Sequence, residues 1–276
     1  MHARSHMPDG VAGAILAAAP NPQEVIACIG ALGYAEQVET VWQDFLRIVA
    51  RYGFDRVNYS YMPTLRDPER ASRTTRFTLS SHPREGMAKV YASPLLDRSP
   101  MRIWATSNVG SMSWSQQPRL LRDYGMEADG PGLRELLHDL GVIAGYTVGF
   151  PRTAQSGKGT MGLTAQPGLD QAQVDEIWAA RGPEIEALAV TAHNALSRMP
   201  LSVLDRPLSG TQREILGWIA DGKTIQDVAI LMERSVSSVE KNLAAVREVL
   251  GVETTAQAIA RMALINQLRL PEDAGR

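Results

Sequence analysis

The sequence predicts an α+β protein: an amino-terminal α/β/α sandwich around an antiparallel sheet, followed by an all-α module of four short helices. Three observations carry this. Strand-like runs at Phe54–Met62, Thr74–Leu79, Val142–Phe150 and Thr160–Thr164 lie between two strongly helical stretches. Past Leu208 no strand pattern remains, and four hydroxyl residues stand three positions ahead of Gln, Asp or Glu, the spacing of a helix-starting capping box. The length of 276 residues suggests about two domains.

From Pro22 to Tyr52 the pattern is helical, with Val38, Trp42, Phe45, Leu46 and Val49 drawing one apolar stripe. Gly53 ends it, because glycine tolerates the left-handed terminal conformation. Between the first two strands, the charged segment Pro63–Arg73 reads as an exposed loop. Residues 83–140 read as short helices broken by Pro94, Pro100, Pro118 and Pro131. Thr153–Gly159 forms the turn between the last two strands. A long helix from Asp170 to Arg198 follows, with a kink at Gly182-Pro183, where proline removes a backbone donor. Met199–Pro207 reads as a linker. Capping pairs Ser209/Gln212, Thr224/Asp227, Ser237/Glu240 and Thr254/Gln257 then place helices near 210–221, 225–232, 236–250 and 255–268.

Composition is that of an ordinary globular chain, with 44% hydrophobic and 21% charged residues. The 28 basic and 30 acidic residues leave a net charge of −2, so no global polybasic signature points to nucleic acid. A single cysteine, Cys28, excludes an intrachain disulfide and any multi-cysteine zinc site. No run approaches the roughly 20 apolar residues of a membrane span. Val11–Ala19 ends in a small-residue pattern resembling a signal-peptidase site. Only Arg4 supplies fixed positive charge before Asp9, which favours a short helix or a frayed tail.

In the carboxy-terminal module the second and third helices are joined by Glu233-Arg234-Ser235, the connection length of a helix-turn-helix. Val239, Leu243, Val246 and Leu250 would bury the third helix on its neighbours. Its opposite face offers Ser237, Ser238, Lys241, Asn242 and Ala245. Asn can read adenine, Lys can reach guanine or phosphate, and small residues allow close approach to the groove. Leu208-Ser209, Leu216 to Thr224, Val228-Ala229, Ser238-Val239, Leu243 and Leu250-Gly251-Val252 together resemble the DNA-binding domain of LuxR-type transcription regulators. The resemblance implies a tetrahelical helix-turn-helix that dimerises through its last helix. It also implies DNA contacts from Lys223, Thr224, Ser235, Ser237, Ser238, Glu240, Lys241, Asn242 and Ala245, with Lys223 and Thr224 placed for phosphate. The chain departs from the family at Gln212, where Glu is usual, and at Glu233, where Gly is usual. Residues 208–276 hold eight basic and nine acidic residues, net −1. Two readings therefore stand: a DNA-binding module, or one turned to protein interaction.

The amino-terminal layout resembles the acyl-homoserine-lactone-binding domain of the quorum-sensing subgroup. Tyr52-Gly53-Phe54, Tyr91, Ser99-Pro100, Trp114-Ser115 and Gly141 to Gly145 carry the likeness. In that family a Trp and a Tyr bind the ligand head group, an Asp takes its amide NH, and a second Trp packs on the lactone. Tyr91 and Trp114 match the Tyr and the second Trp, and Gly145 matches a family glycine. The first Trp falls at Gly86 or Met87, which implies a lost donor and a vacated space. The Asp falls at Ser99, with Asp97 two residues upstream. Exchanging a charge-assisted acceptor for a neutral one is worth about 1.5–3 kcal/mol, or about one to two decades of affinity. Tyr59 and Tyr61 are further candidates for the same cavity. The alternative is that these aromatics are core.

Other signals are set aside. Gly157 to Gly162 satisfies G-x-G-x-x-G, but a strand continues through Leu163-Thr164 where a dinucleotide site needs a helix start. Ser238 to Lys241 fits S-x-x-K without the motif's other parts. His82, His138 and His193 are widely spaced, and no nucleophile stands beside a base. No catalytic residue, metal or cofactor is assigned.

The domains are thus read as a tail (1–21), an autoinducer-binding-like sensor (22–198), a linker (199–207) and a LuxR-type helix-turn-helix (208–270). The expected protein is a cytoplasmic homodimeric regulator of double-stranded DNA. Its pocket would take an acyl-homoserine lactone, another small signal, or none, and no membrane is involved. The competing expectation is an anti-activator that heterodimerises with a related regulator and binds DNA poorly.

Overall fold

The computed structural model describes residues 10–62, 77–96, 98–152, 157–200 and 206–268. The chain divides into two compact units, one built mainly before Pro200 and the other mainly from Pro200 onward.

The first unit opens with α1 (Val11–Ala18), α2 (Pro22–Tyr34) and α3 (Val38–Ala50). A capping box between Asn21 and Glu24 starts α2. Alpha-helical spacing on α3 buries Val41, Trp42, Phe45, Ile48 and Val49. Gly53 then turns the chain at φ +87°, beside Ile15 and Leu169, and β1 (Phe54–Met62) follows. Next come β2 (Phe77–Ser80), α4 (Arg84–Ala92), α5 (Pro100–Ser107), β3 (Gly110–Ser113), α6 (Gln117–Asp123) and α7 (Gly130–His138). Pro63–Arg73 and the first part of the expected second strand, Thr74–Arg76, lie outside the described residues. Pro100, Pro118 and Pro131 sit in the first turns of α5, α6 and α7, where a missing N–H costs nothing. They open these helices rather than break them.

Two strands, β4 (Gly145–Gly149) and β5 (Lys158–Ala165), and the long α8 (Gln171–Arg198) complete the unit. The five-stranded sheet runs β2-β1-β5-β4-β3. Antiparallel β4 pairs with β5 from Gly145↔Thr164 to Gly149↔Thr160, and with β3 from Gly110↔Gly149 to Ser113↔Tyr146. Helices α1, α2 and α3 pack with α8, which covers one face of the sheet. The opposite face carries α5: Gly149 abuts Ala105, whereas Tyr146, three residues earlier on β4, rests on Trp178 of α8. The result is the anticipated α/β/α sandwich. Helix α8 runs unbroken through Pro183. Gly182 is required there because a side chain would strike the Trp178 indole.

The second unit contains α9 (Gly210–Ala220), α10 (Ile225–Leu231), α11 (Val236–Leu250) and α12 (Thr255–Leu264). Capping boxes at Ser209/Gln212, Thr224/Asp227 and Thr254/Gln257 are formed. The box expected at Ser237/Glu240 is not. Ser235 caps α11, accepting from the Ser238 amide at 3.2 Å, so Ser237 lies inside the first turn. Val239, Leu243, Val246 and Leu250 are buried. Gly251 closes α11 in the left-handed region. Among the described residues no helix is by itself long and apolar enough to cross a membrane.

Candidate functional site

Strand alternation sorts the sensor side chains between two faces of the sheet. Toward α8 point Tyr146 and Val148 of β4. Tyr146 stacks on Trp178 with ring centroids 3.9 Å apart, and its hydroxyl donates to Asp175 at 2.8 Å. Toward the opposite face point Gly145, Thr147 and Gly149. The Trp114 indole lies against Gly145, and its N–H donates to Thr147 Oγ1 at 2.8 Å. Thr164 is the cross-strand partner of Gly145 and shares this face. Its hydroxyl meets His82 Nε2 at 3.3 Å. On β1, Asn58 accepts from the Tyr91 hydroxyl at 2.7 Å. Trp114, Thr147, Thr164, His82, Asn58 and Tyr91 therefore form a polar-aromatic surface on one side of the sheet.

The structure places the ligand candidates as follows. Tyr91 on α4 is 38% exposed. Gly145 is obligatory: a Cβ there would strike the Leu163 carbonyl and press on the Trp114 ring. Ser99 is half-buried at the N-cap of α5, where its hydroxyl makes no capping bond. Met87 is buried on α4. Asp97 lies outside the described residues. At Gly86 the Leu140 side chain fills the position that a Cβ would take. Tyr59 and Tyr61 do not join the surface. They are fully buried on the α8 side, with ring centroids each 5.9 Å from that of His193. Alternation explains the correction, since they flank Asn58 and Ser60 and so face the other way.

Sequence reasoning overlooked His82, Thr164, Thr147 and Asn58. For Asn58, Thr147 and Thr164 the period of two along β1, β4 and β5 held the signal, because each alternates with residues buried under α8, whereas His82 lies between β2 and α4 and no local pattern marks it. Nδ1 of His82 is buried without a hydrogen-bond partner. Burial, helped by Arg56, pushes the His82 pKa down to about 4, so the ring is neutral near pH 7. It offers one nitrogen to an uncharged polar group.

Beneath α8 lies a second buried cluster. His193 stacks on Phe150 with centroids 4.2 Å apart and shares a 2.9 Å hydrogen bond with Tyr59. Burial and then Lys158 bring the His193 pKa down to about 4. Lys158 donates to the carbonyls of Asn108 and Phe150. The G-x-G-x-x-G run is explained here. It lies on β5, and Gly159 leaves room for the His193 ring. Among the described residues no group of three or more His, Cys, Asp or Glu side chains could hold a metal ion.

In the second unit Lys223 is exposed, with its ammonium 3.9 Å from Asp221. Thr224 caps α10, and its hydroxyl donates to the Asp227 carboxylate at 2.7 Å. That bond holds the Asp227 pKa below the usual carboxylate value. Ser237, Glu240 and Lys241 are exposed on α11, while Ser238, Asn242 and Ala245 are half-buried. The Asn242 amide donates to the Ser238 carbonyl at 2.8 Å. Glu233 takes φ +51° in the connection, the conformation usually given to glycine.

The family model of the autoinducer binding domain matches residues 37–196, more than half of the chain. The chain belongs to the autoinducer-binding-domain family. This family member shares its fold with SdiA from Escherichia coli, at 16% identity and a TM-score of 0.53, over 89% of this chain and 98% of SdiA. SdiA in complex with octanoyl-rac-glycerol matches at 15% identity and a TM-score of 0.52, over 87% of this chain and 93% of that one. CepR2 from Burkholderia cenocepacia, an N-acylhomoserine lactone dependent LuxR family transcription factor, matches at 19% identity and a TM-score of 0.46, over 62% and 92%. No curated protein matches this autoinducer-binding-domain chain.

Proposed function

We propose that the protein is a dimeric LuxR-type transcription regulator whose sensor unit takes an uncharged acyl ligand other than the usual homoserine lactone. The observation that carries this is an autoinducer-binding domain over residues 37–196 followed by four capped helices with a four-residue connection, 232–235, before α11. The sensor keeps Tyr91 and Trp114 but replaces the family's Trp and Asp. Leu140 over Gly86 shortens the head-group end, and His82 brings a neutral ring. This suits a compact hydroxyl-bearing head group, and SdiA is known in complex with octanoyl-rac-glycerol. Dimerisation would use the exposed stripe of α8 around Ala179, Pro183, Ala187 and Val190, together with α12. The chain's soluble composition fits action in the cytoplasm. Helix α11 would enter the major groove with Lys241 and Asn242 at base edges, while Lys223 and Thr224 meet phosphate.

Thermal unfolding with 1-octanoyl-rac-glycerol and with N-octanoyl homoserine lactone tests the sensor assignment. The glycerol ester should raise the melting temperature by several degrees and the lactone by much less. A shift of several degrees with the lactone contradicts the altered pocket.

A second reading is favoured by the charge of residues 208–276, net −1. Two proposed contacts, Thr224 and Asn242, also spend donors on partners within the unit. On this reading the protein pairs with a related regulator and blocks it. Co-purification with such a partner, and no retardation of promoter DNA at low salt, would favour it.

A further inference from the structure

Strand β3 stops one residue short of its partner. Its last pair with β4 is Ser113↔Tyr146, and the next in that register would be Trp114 with Gly145. Instead the chain turns away into a 3-10 turn, Trp114–Gln116, which Ser113 caps by accepting from the Ser115 amide at 3.1 Å. That departure lets the Trp114 indole lie against Gly145 on the side of the sheet that carries Tyr91. It also removes a backbone partner. The Ala144 carbonyl accepts from the Ala165 amide after β5, so the N–H and C=O of the next residue, Gly145, point the other way, toward β3. A continued ladder would have Trp114 and Gly145 exchange two hydrogen bonds. With Trp114 gone from the strand, both Gly145 groups need another partner.

Gln171, the first residue of α8, supplies both bonds. Its Oε1 accepts from the Gly145 N–H at 2.9 Å, and its Nε2 donates to the Gly145 carbonyl at 3.2 Å. A carboxamide offers an acceptor and a donor side by side, as a peptide group does, so this side chain stands in for the absent strand residue. Nε2 also lies 2.9 Å from Asp175 Oδ1 and 3.1 Å from Ser113 Oγ. Asp175 Oδ1 accepts in addition from the hydroxyls of Ser113 at 2.7 Å and Tyr146 at 2.8 Å. Thr147 thus holds the indole N–H of Trp114, while Gln171, itself held by Asp175, holds the glycine beneath the ring.

We propose that Gln171 is a positioning residue for ligand binding. It frees Trp114 from the sheet and fixes Gly145 as the seat of the indole, so the aromatic wall of the sensor depends on the first turn of α8. This rests on the sensor reading above, in which Trp114 faces the bound molecule.

The test uses the 276-residue chain with Gln171→Met, which keeps the length of the side chain and removes its hydrogen bonds. Gln171→Glu, which loses the donor to Gly145 and sets a carboxylate beside Asp175, is the second variant should the first not fold. Five tryptophans are present, so the emission of Trp114 is isolated by difference from the same chain carrying Trp114→Phe. Either Gln171 variant should shift Trp114 emission to the red. Calorimetric titration of 1-octanoyl-rac-glycerol should show binding about tenfold weaker than wild type, the loss of one neutral hydrogen bond's worth of positioning. A lower melting temperature with unchanged emission and affinity makes Gln171 a sheet-edge brace only and overturns the proposal. Shifted emission with unchanged affinity overturns it too. Should the wild type take N-octanoyl homoserine lactone instead, the head-group reading fails, and the same tenfold loss measured on the lactone supports the positioning role. Should it take neither, the sensor assignment fails, and an unshifted Trp114 emission overturns this inference separately.

Discussion

Two buried histidines make the clearest prediction at the scale of single residues. His82 and His193 both have pKa values near 4 in the folded chain, against 6.5 for a free imidazole. The unfolded chain therefore binds more protons between those values. Stability should be complete above about pH 6.5 and fall as pH drops toward 4, by up to roughly 3 kcal/mol per histidine. Urea unfolding midpoints at pH 7, 6 and 5 would follow this, and a flat profile would contradict it. Gly145 supplies another. Gly145→Ala drives a methyl into the Leu163 carbonyl and the Trp114 ring, and should cost about 1–3 kcal/mol with a change in tryptophan emission. Trp114 and Gly145 were each legible through the family likeness, but that they touch was not. His82 was not, because its partner Thr164 is 82 residues away and only the sheet brings them together.

Helix caps were the most readable elements. Three of the four expected capping boxes in the second unit formed, because a cap is a bond between residues three apart and needs no tertiary information. The fourth moved to Ser235, since two serines two positions apart compete for the same role and helix α11 begins at Val236. Ser235→Ala should lower stability by about 1 kcal/mol and Ser237→Ala by only a few tenths. Equal effects in chemical denaturation would restore Ser237 as the cap. Strand β1 was visible at its full length, Phe54–Met62, from alternation alone. Strand β3 was not, because Gly-Ser-Met-Ser lacks β-branched and aromatic residues and holds its place by pairing with β4. Tyr59 and Tyr61 show the limit of an aromatic as a signal: strand parity alone decides which side of the sheet it serves.

At the scale of the whole molecule, two compact units and a near-neutral charge constrain how the protein could act. Residues 208–276, at net −1, gain little from general attraction to phosphate, so on the proposed reading any DNA affinity would come from a few placed contacts and from pairing two copies. Asp227 at the Thr224 cap and Glu240 on the exposed side of α11 sharpen that dependence. Selection of bound DNA from a random pool by the 276-residue chain, at low and moderate salt, tests DNA binding by α11. A palindromic consensus is expected, and each half-site should relax at one position when Lys241 or Asn242 is replaced by alanine. A folded dimer that enriches no sequence at either salt would contradict it.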